Sequence, residues 1–268
     1  MPVVTVGDCH LHYTHNRIAV DRPALVFIHG AGGSSRDWPY QWQQTSAAPS
    51  RGEQRWITDY PLYLLDLPGH GRSQPPARTN IADYAADVVA FSQAVGIRRA
   101  VFVGHSMGGA IALTIGLMKP ANLAGLVVLG SGPRMPVSDA ILNGLRADFA
   151  QTVGLIQKFS WRKEARVVYR EVATQHMLAA GPEVVYGDFA ACHAFDIGER
   201  LGEISAPTLV VGSTSDRMMP LAQSEILAAG IPRSQLAIIE DGGHFMMTEK
   251  TNEVNAALLA FLKKLSAQ

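Results

Sequence analysis

The five residues Gly104-His105-Ser106-Met107-Gly108 set one hydroxyl midway between two glycines, with an apolar run (Ala100 to Val103) before and an Ala/Ile/Leu-rich segment (Met107 to Met118) after. A chain that turns from strand to helix within one residue forces that residue into a crowded backbone conformation, and flanking glycines relieve the crowding. The turn lifts the Ser106 hydroxyl to a helix N-terminus, where free N–H groups and the helix dipole favour developing negative charge. The chemistry this suits is nucleophilic attack on a carbonyl. The competing reading is a small-residue turn that merely packs a helix closely on a strand.

A serine hydroxyl needs a base, and the base needs an acid to orient it. Nine histidines are candidates. His244, in Asp241-Gly242-Gly243-His244-Phe245, follows the last apolar run and precedes a C-terminal helical pattern, which puts it on a loop at the same sheet edge as Ser106. His105 adjoins the serine but is expected to point away and pack. His10, His12 and His15 fall in N-terminal strand patterns, and His176 and His193 in a helical region. For the acid, Asp216 follows the apolar run Pro207-Thr208-Leu209-Val210-Val211, and Pro220 stands ready to open a helix. Asp216 could also be a solvated or capping aspartate. Asp139 is the next candidate, and Asp241 is too near His244 along the chain.

A glycine-rich stretch, His29-Gly30-Ala31-Gly32-Gly33-Ser34, follows another apolar run. Such a loop can aim a backbone N–H at a carbonyl oxygen under attack. Paired with the N–H of Met107, Ala31 is expected to complete an oxyanion hole, with Gly32 as second choice. A phosphate cradle fits poorly, because the loop lacks the lysine of a P-loop and the spacing of a dinucleotide fingerprint.

These residues need a scaffold, and the rest of the chain describes one. Its 268 residues are 47% hydrophobic and 17% charged, a globular composition with room for a large core. Twenty-three basic residues balance 23 acidic ones without a run of like charge, which argues against a nucleic-acid surface or a polybasic membrane patch. No apolar stretch approaches the roughly 20 residues that span a bilayer. The first residues lack the cationic start and apolar core of a secretory signal, so a cytoplasmic location is expected, with Cys9 and Cys192 as reduced thiols.

Strand patterns cover Pro2 to Val6, Cys9 to Thr14, Ala24 to His29, Leu62 to Leu65, Ala100 to Val103, Leu126 to Leu129, Thr208 to Val211 and Leu236 to Ile239. Most are continuously apolar, which implies a sheet covered on both faces. Helical patterns over Ile81 to Val95, Met107 to Met118, Leu221 to Ala229 and Asn252 to Leu265 alternate with them. The fold class is therefore α/β, a mostly parallel central sheet with helices on both faces. Residues 135–203 break the rhythm with amphipathic helical stretches and recurrent aromatics. They read as a helical cap inserted into a core made of 1–134 and 204–268.

In this order the segments HGAGGS at 29–34, DLPGHGRS at 66–73, GHSMGG at 104–109, the Asp216 loop and GGHF at 242–245 resemble the α/β-hydrolase superfamily over essentially the full length. The resemblance implies Ser106 as nucleophile, Asp216 as acid, His244 as base, oxyanion N–H groups from Ala31 and Met107, and a helical cap. It implies that Asp66, Gly69 and Gly71 shape a loop without reacting. A serine at 106 argues against the haloalkane dehalogenase and epoxide hydrolase branches, which carry aspartate there. The segment Trp42 to Tyr60 departs from the pattern, being longer and more polar.

The expected activity is carboxylic ester hydrolysis through an acyl-enzyme, on a small-molecule hydrophobic ester or related acyl compound. It needs no metal or organic cofactor, and no metal-ligand spacing is visible. Carbon–carbon bond, lactone or thioester hydrolysis and cofactor-free perhydrolysis use the same residues and stay open, as does a ligand-binding role on the same fold.

Overall fold

The strand patterns assemble into one eight-stranded sheet: β1 (Val3–Val6), β2 (Cys9–His15), β3 (Ala24–Ile28), β4 (Leu62–Leu65), β5 (Ala100–His105), β6 (Leu123–Leu129), β7 (Thr208–Ser213) and β8 (Ser234–Ile239). The computed structural model describes residues 2–16, 18, 20–43 and 56–266. The strand order is β1-β2-β4-β3-β5-β6-β7-β8. The β1–β2 and β2–β4 pairs are antiparallel and all later pairs parallel.

Parallel neighbours need crossover connections, and helices supply them. These are α1 (Ile81–Ala94), α2 (Met107–Met118) and α7 (Leu221–Gly230), with α3 (Asp139–Ala147), α4 (Phe149–Ser160), α5 (Val167–Ala180) and α6 (Pro182–Ala194) forming the insertion between β6 and β7; the short α8 (Met246–Glu249) and α9 (Thr251–Leu265) follow the last strand. Alternate strand residues feed opposite faces. Val26, Ile28, Phe102 and Val128 pack with residues of α1 and α2. Leu25, Phe27, Val101 and Val103 pack with Leu258 and Phe261 of α9.

The insertion has its own apolar cluster, including Leu145, Val153, Ile156, Val185 and Phe189. The stretch running from Ile141 to Phe159 is two helices rather than one. Asp148 leaves helical geometry at φ −145° and its carboxylate accepts the Gln151 N–H to cap α4.

Edge strands depart from the two-faced burial expected of the sheet, and Val3 of β1 is exposed at one edge. β8 lies at the other edge, with Leu236 and Ile238 exposed, because only its inner neighbour and one face cover it. Cys9 and Cys192 are both buried free thiols. Most of the atypical 42–60 segment lies outside the described residues, but Trp42, Ile57 and Tyr60 at its ends are buried in the α9-side core. Among the described residues no helix is long and apolar enough to cross a membrane.

Candidate active site

Four loops that leave the C-terminal ends of parallel strands meet at one edge of the sheet, the edge where open α/β sheets hold their ligands. They follow β3, β5, β7 and β8 and carry Ala31, Ser106, Asp216 and His244.

Ser106 has φ 54° and ψ −117°, a left-handed-side conformation that a non-glycine residue adopts at a cost. Its N–H bonds the Leu129 carbonyl of the adjacent strand at 2.9 Å, and its carbonyl accepts from Gly109 and Ala110 to start α2. The flanking glycines are sterically required. A Cβ on Gly104 would overlap the Gly108 carbonyl, and one on Gly108 would overlap the Ile28 carbonyl. The helix thus sits directly against β3 and β5. Met107 buries its side chain in the core, leaving its backbone to the site.

Asp216 and His244 are joined by a 2.9 Å bond from Nδ1 to Oδ2, with both residues buried. The other carboxylate oxygen, Oδ1, accepts the N–H groups of Met218 and Met219, each at 2.9 Å. Burial pushes the Asp216 carboxyl up, but the neighbouring imidazole and the two amides outweigh it and hold the group below its ordinary range. An ionised Asp216 accepts, so His244 Nδ1 carries the proton and its Nε2 is free as a base.

The two loops are laced together. Ser215 N–H donates to the Gly242 carbonyl at 3.1 Å, and Asp241 N–H to Thr214 Oγ1 at 2.8 Å. The alternative acids are elsewhere: Asp139 is exposed at the start of α3, and Asp241 pairs with Arg162.

His105 does pack, and it also braces His244. Its Nε2 donates to the His244 carbonyl at 2.9 Å, with the two rings 4.7 Å apart. Burial, then the nearby His244, push its pKa down to about 3, so it stays neutral.

Ser106, His244, Gly30 and Ala31 line one cavity of about 80 Å³. Its other walls are largely apolar and rich in sulfur: Met135, Met177, Met218, Met219 and Cys192. All but Met218 and Met219 come from the insertion and its entry. Gly32, the second candidate for an oxyanion donor, is already engaged, since its N–H donates to Asp188 Oδ2 at 2.8 Å. Gly33 N–H donates to the Gly30 carbonyl at 3.1 Å. Within this loop Gly30 and Ala31 line the cavity.

The partner of Gly32 belongs to a buried network that sequence reasoning missed. Asp188 of α6 is fully buried; Oδ2 also faces His70 Nε2 at 2.7 Å, and Oδ1 accepts the Tyr84 hydroxyl at 2.8 Å. His70 Nδ1 faces the Pro68 carbonyl at 3.0 Å. With acceptors at both ring nitrogens, His70 is held as the imidazolium. Burial pushes its pKa down, but the Asp188 carboxylate and the Pro68 carbonyl raise it further. The network ties the insertion, α1 and the 66–73 loop to the glycine-rich loop. Asp66 shapes that 66–73 loop as expected, accepting the N–H groups of Ser35 and Arg72 and facing His12. A sequence signal for Asp188 existed: it lies on the α6 face that also carries Val185, Ala191 and Cys192, an aspartate among apolar residues.

The model of the alpha/beta hydrolase family matches residues 25–257. The chain belongs to the alpha/beta hydrolase family. This α/β-hydrolase is 31% identical to RutD of Variovorax paradoxus, a protein provisionally named a carbamate hydrolase, over 96% of this chain and 97% of that one. RutD of Agrobacterium fabrum, with the same provisional name, is 27% identical over 94% and 98%. Among solved structures, a thermophilic esterase superposes with a TM-score of 0.83 at 29% identity, covering 98% of this chain and 97% of the esterase. Est816, described as an N-acyl homoserine lactone degrading enzyme, gives 0.80 at 28% identity, covering 97% and 100%.

Proposed function

We propose that this α/β-hydrolase is a serine hydrolase that cleaves a small carboxylic ester through an acyl-enzyme, with 135–203 acting as a cap over a core of 1–134 and 204–268. The observation that carries the reading is the buried Asp216–His244 pair, whose imidazole lines one small cavity together with Ser106 on its strained turn. The likeness to a thermophilic esterase supports it.

In the proposed reaction His244 Nε2 takes the Ser106 proton as Oγ attacks the ester carbonyl, and Asp216 holds the resulting imidazolium in place. The tetrahedral oxyanion accepts from the backbone N–H groups of Ala31 and Met107; losing one such donor costs about 3–4 kcal/mol of transition-state stabilisation. His244 returns the proton to the departing alcohol. Water, deprotonated by His244, then releases the acid from Ser106. The small, apolar cavity suits a short acyl chain.

A carbamate is a second reading, favoured by the 31% identity to RutD. The same steps apply with a carbamoyl group on Ser106. Release of p-nitrophenol from acetyl and butanoyl esters tests the main reading, with p-nitrophenyl carbamate as the comparison. Turnover of the esters that disappears in Ser106→Ala is expected; inertness to all of them contradicts it.

A further inference from the structure

The cavity wall holds a polar side chain whose donor has no strong partner among the described residues. Gln157 of α4 is 2% exposed and lines the cavity. Its Oε1 accepts the Trp161 indole N–H at 2.9 Å. An indole N–H can only donate, so the orientation of the amide is fixed and its NH₂ lies on the other side. The acceptor that NH₂ meets among the described residues is the Met177 sulfur at 3.9 Å, a weak one that also lines the cavity. By contrast, the Ser160 hydroxyl in the same wall is satisfied by the Ile156 carbonyl at 2.9 Å.

The amide is also held rigidly. The Trp161 carbonyl accepts Arg217 Nη2 at 2.9 Å, and its ring stacks on Phe245 at 4.5 Å with planes 4° apart. Phe245 adjoins His244, whose own N–H donates to the Ser160 carbonyl at 2.9 Å. Gln157 is therefore fixed relative to the base rather than adrift on the cap. A buried donor left without a good acceptor disfavours the empty site, and an acceptor brought by a ligand removes that penalty.

Resting on the ester-hydrolase reading above, we propose that Gln157 is a specificity-determining residue whose Nε2 donates a hydrogen bond to a second, uncharged oxygen of the substrate. The protein then prefers small esters whose acyl chain carries an ether or keto oxygen over plain alkyl esters of equal length. A purely structural Gln157, present only to satisfy Trp161, affects both kinds of ester alike.

The test compares kcat/KM for p-nitrophenyl methoxyacetate and p-nitrophenyl butanoate in wild type, Gln157→Met and Gln157→Leu. Methionine and leucine are close in size to glutamine and both remove the donor, so one variant stands if the other fails to fold. The ratio of the two kcat/KM values should fall about tenfold from wild type to variant, the worth of one neutral hydrogen bond. Taking the ratio between proteins cancels the intrinsic reactivity of the two esters. An unchanged ratio, or an equal fall on both esters, overturns the proposal while leaving the hydrolase reading intact. Turnover of neither ester by wild type overturns the hydrolase reading and this proposal with it.

Discussion

The molecule contains two buried aspartate–histidine pairs of nearly the same geometry, Asp216–His244 at 2.9 Å and Asp188–His70 at 2.7 Å. In each, the carboxylate takes further donors: two backbone amides at Asp216, a tyrosine hydroxyl and a backbone amide at Asp188. The pairs differ at the imidazole. His244 spends Nδ1 on Asp216 and turns its ring to the cavity that holds Ser106. His70 spends both nitrogens on protein acceptors and has none left for a substrate. An Asp–His contact alone is thus no sign of a base. The first pair suits proton transfer; the second is a clamp, joining α6 of the insertion to the glycine-rich loop through Gly32.

Exchanging the carboxylates for amides separates the two. Asp216→Asn should lower kcat by about 10⁴-fold, because the amide stabilises the wrong tautomer of His244; steady-state kinetics on a short-chain ester measures it, and a loss under tenfold contradicts the assignment. Asp188→Asn should cost mainly stability, about 3–5 kcal/mol from an orphaned buried charge. Its kcat should fall less, about 100-fold at most, through a displaced glycine-rich loop. Denaturant unfolding together with kinetics checks this, and a variant as stable as wild type removes the clamp from the account.

Tyr84→Phe deletes one hydroxyl donated to Asp188 and should cost about 1.5–3 kcal/mol of stability, with little change in kcat. The smallest effect is on pH dependence. His70 is protonated more readily in the folded chain than its ordinary value of 6.5. The stabilisation it brings is therefore complete below about pH 6.5 and lost as pH rises through the raised folded value. Melting temperature followed upward from pH 6 should show this alkaline decline in wild type and a shallower one in Asp188→Asn. Matching slopes in the two proteins would show that the ion pair is not its source.

The same pairs mark how far the sequence could be read. Asp216 and His244 were legible because each ends a continuous apolar run, and parallel strands bring such ends to one edge. Ser106 was legible because its glycines answer a local steric demand that the strand-to-helix turn imposes. The expected strand positions hold to within a few residues, and β8 departs in exposure because edge position is a property of sheet order, not of local composition. Asp188 was hidden for a different reason. Its partners Gly32, His70 and Tyr84 are about 100 or more residues away, and helical spacing within α6 says only that one charged residue lies on an apolar face. The DLPGHGRS segment drew attention to Asp66 and its glycines, while His70 depends on a contact across the insertion. Gln157 belongs to the same class, since the direction of its amide follows from Trp161 one turn further on and from Met177 on another helix.

The central claim is that Ser106 carries the acyl group under the control of His244 and Asp216. Intact-protein and peptide mass spectrometry after rapid quenching of a short-chain p-nitrophenyl ester reaction tests it most directly. The account predicts one acyl adduct per chain, mapped to Ser106, formed with a matching burst of p-nitrophenol and absent from Ser106→Ala. Ester hydrolysis that persists in Ser106→Ala, or an adduct mapped to any other residue, would contradict it.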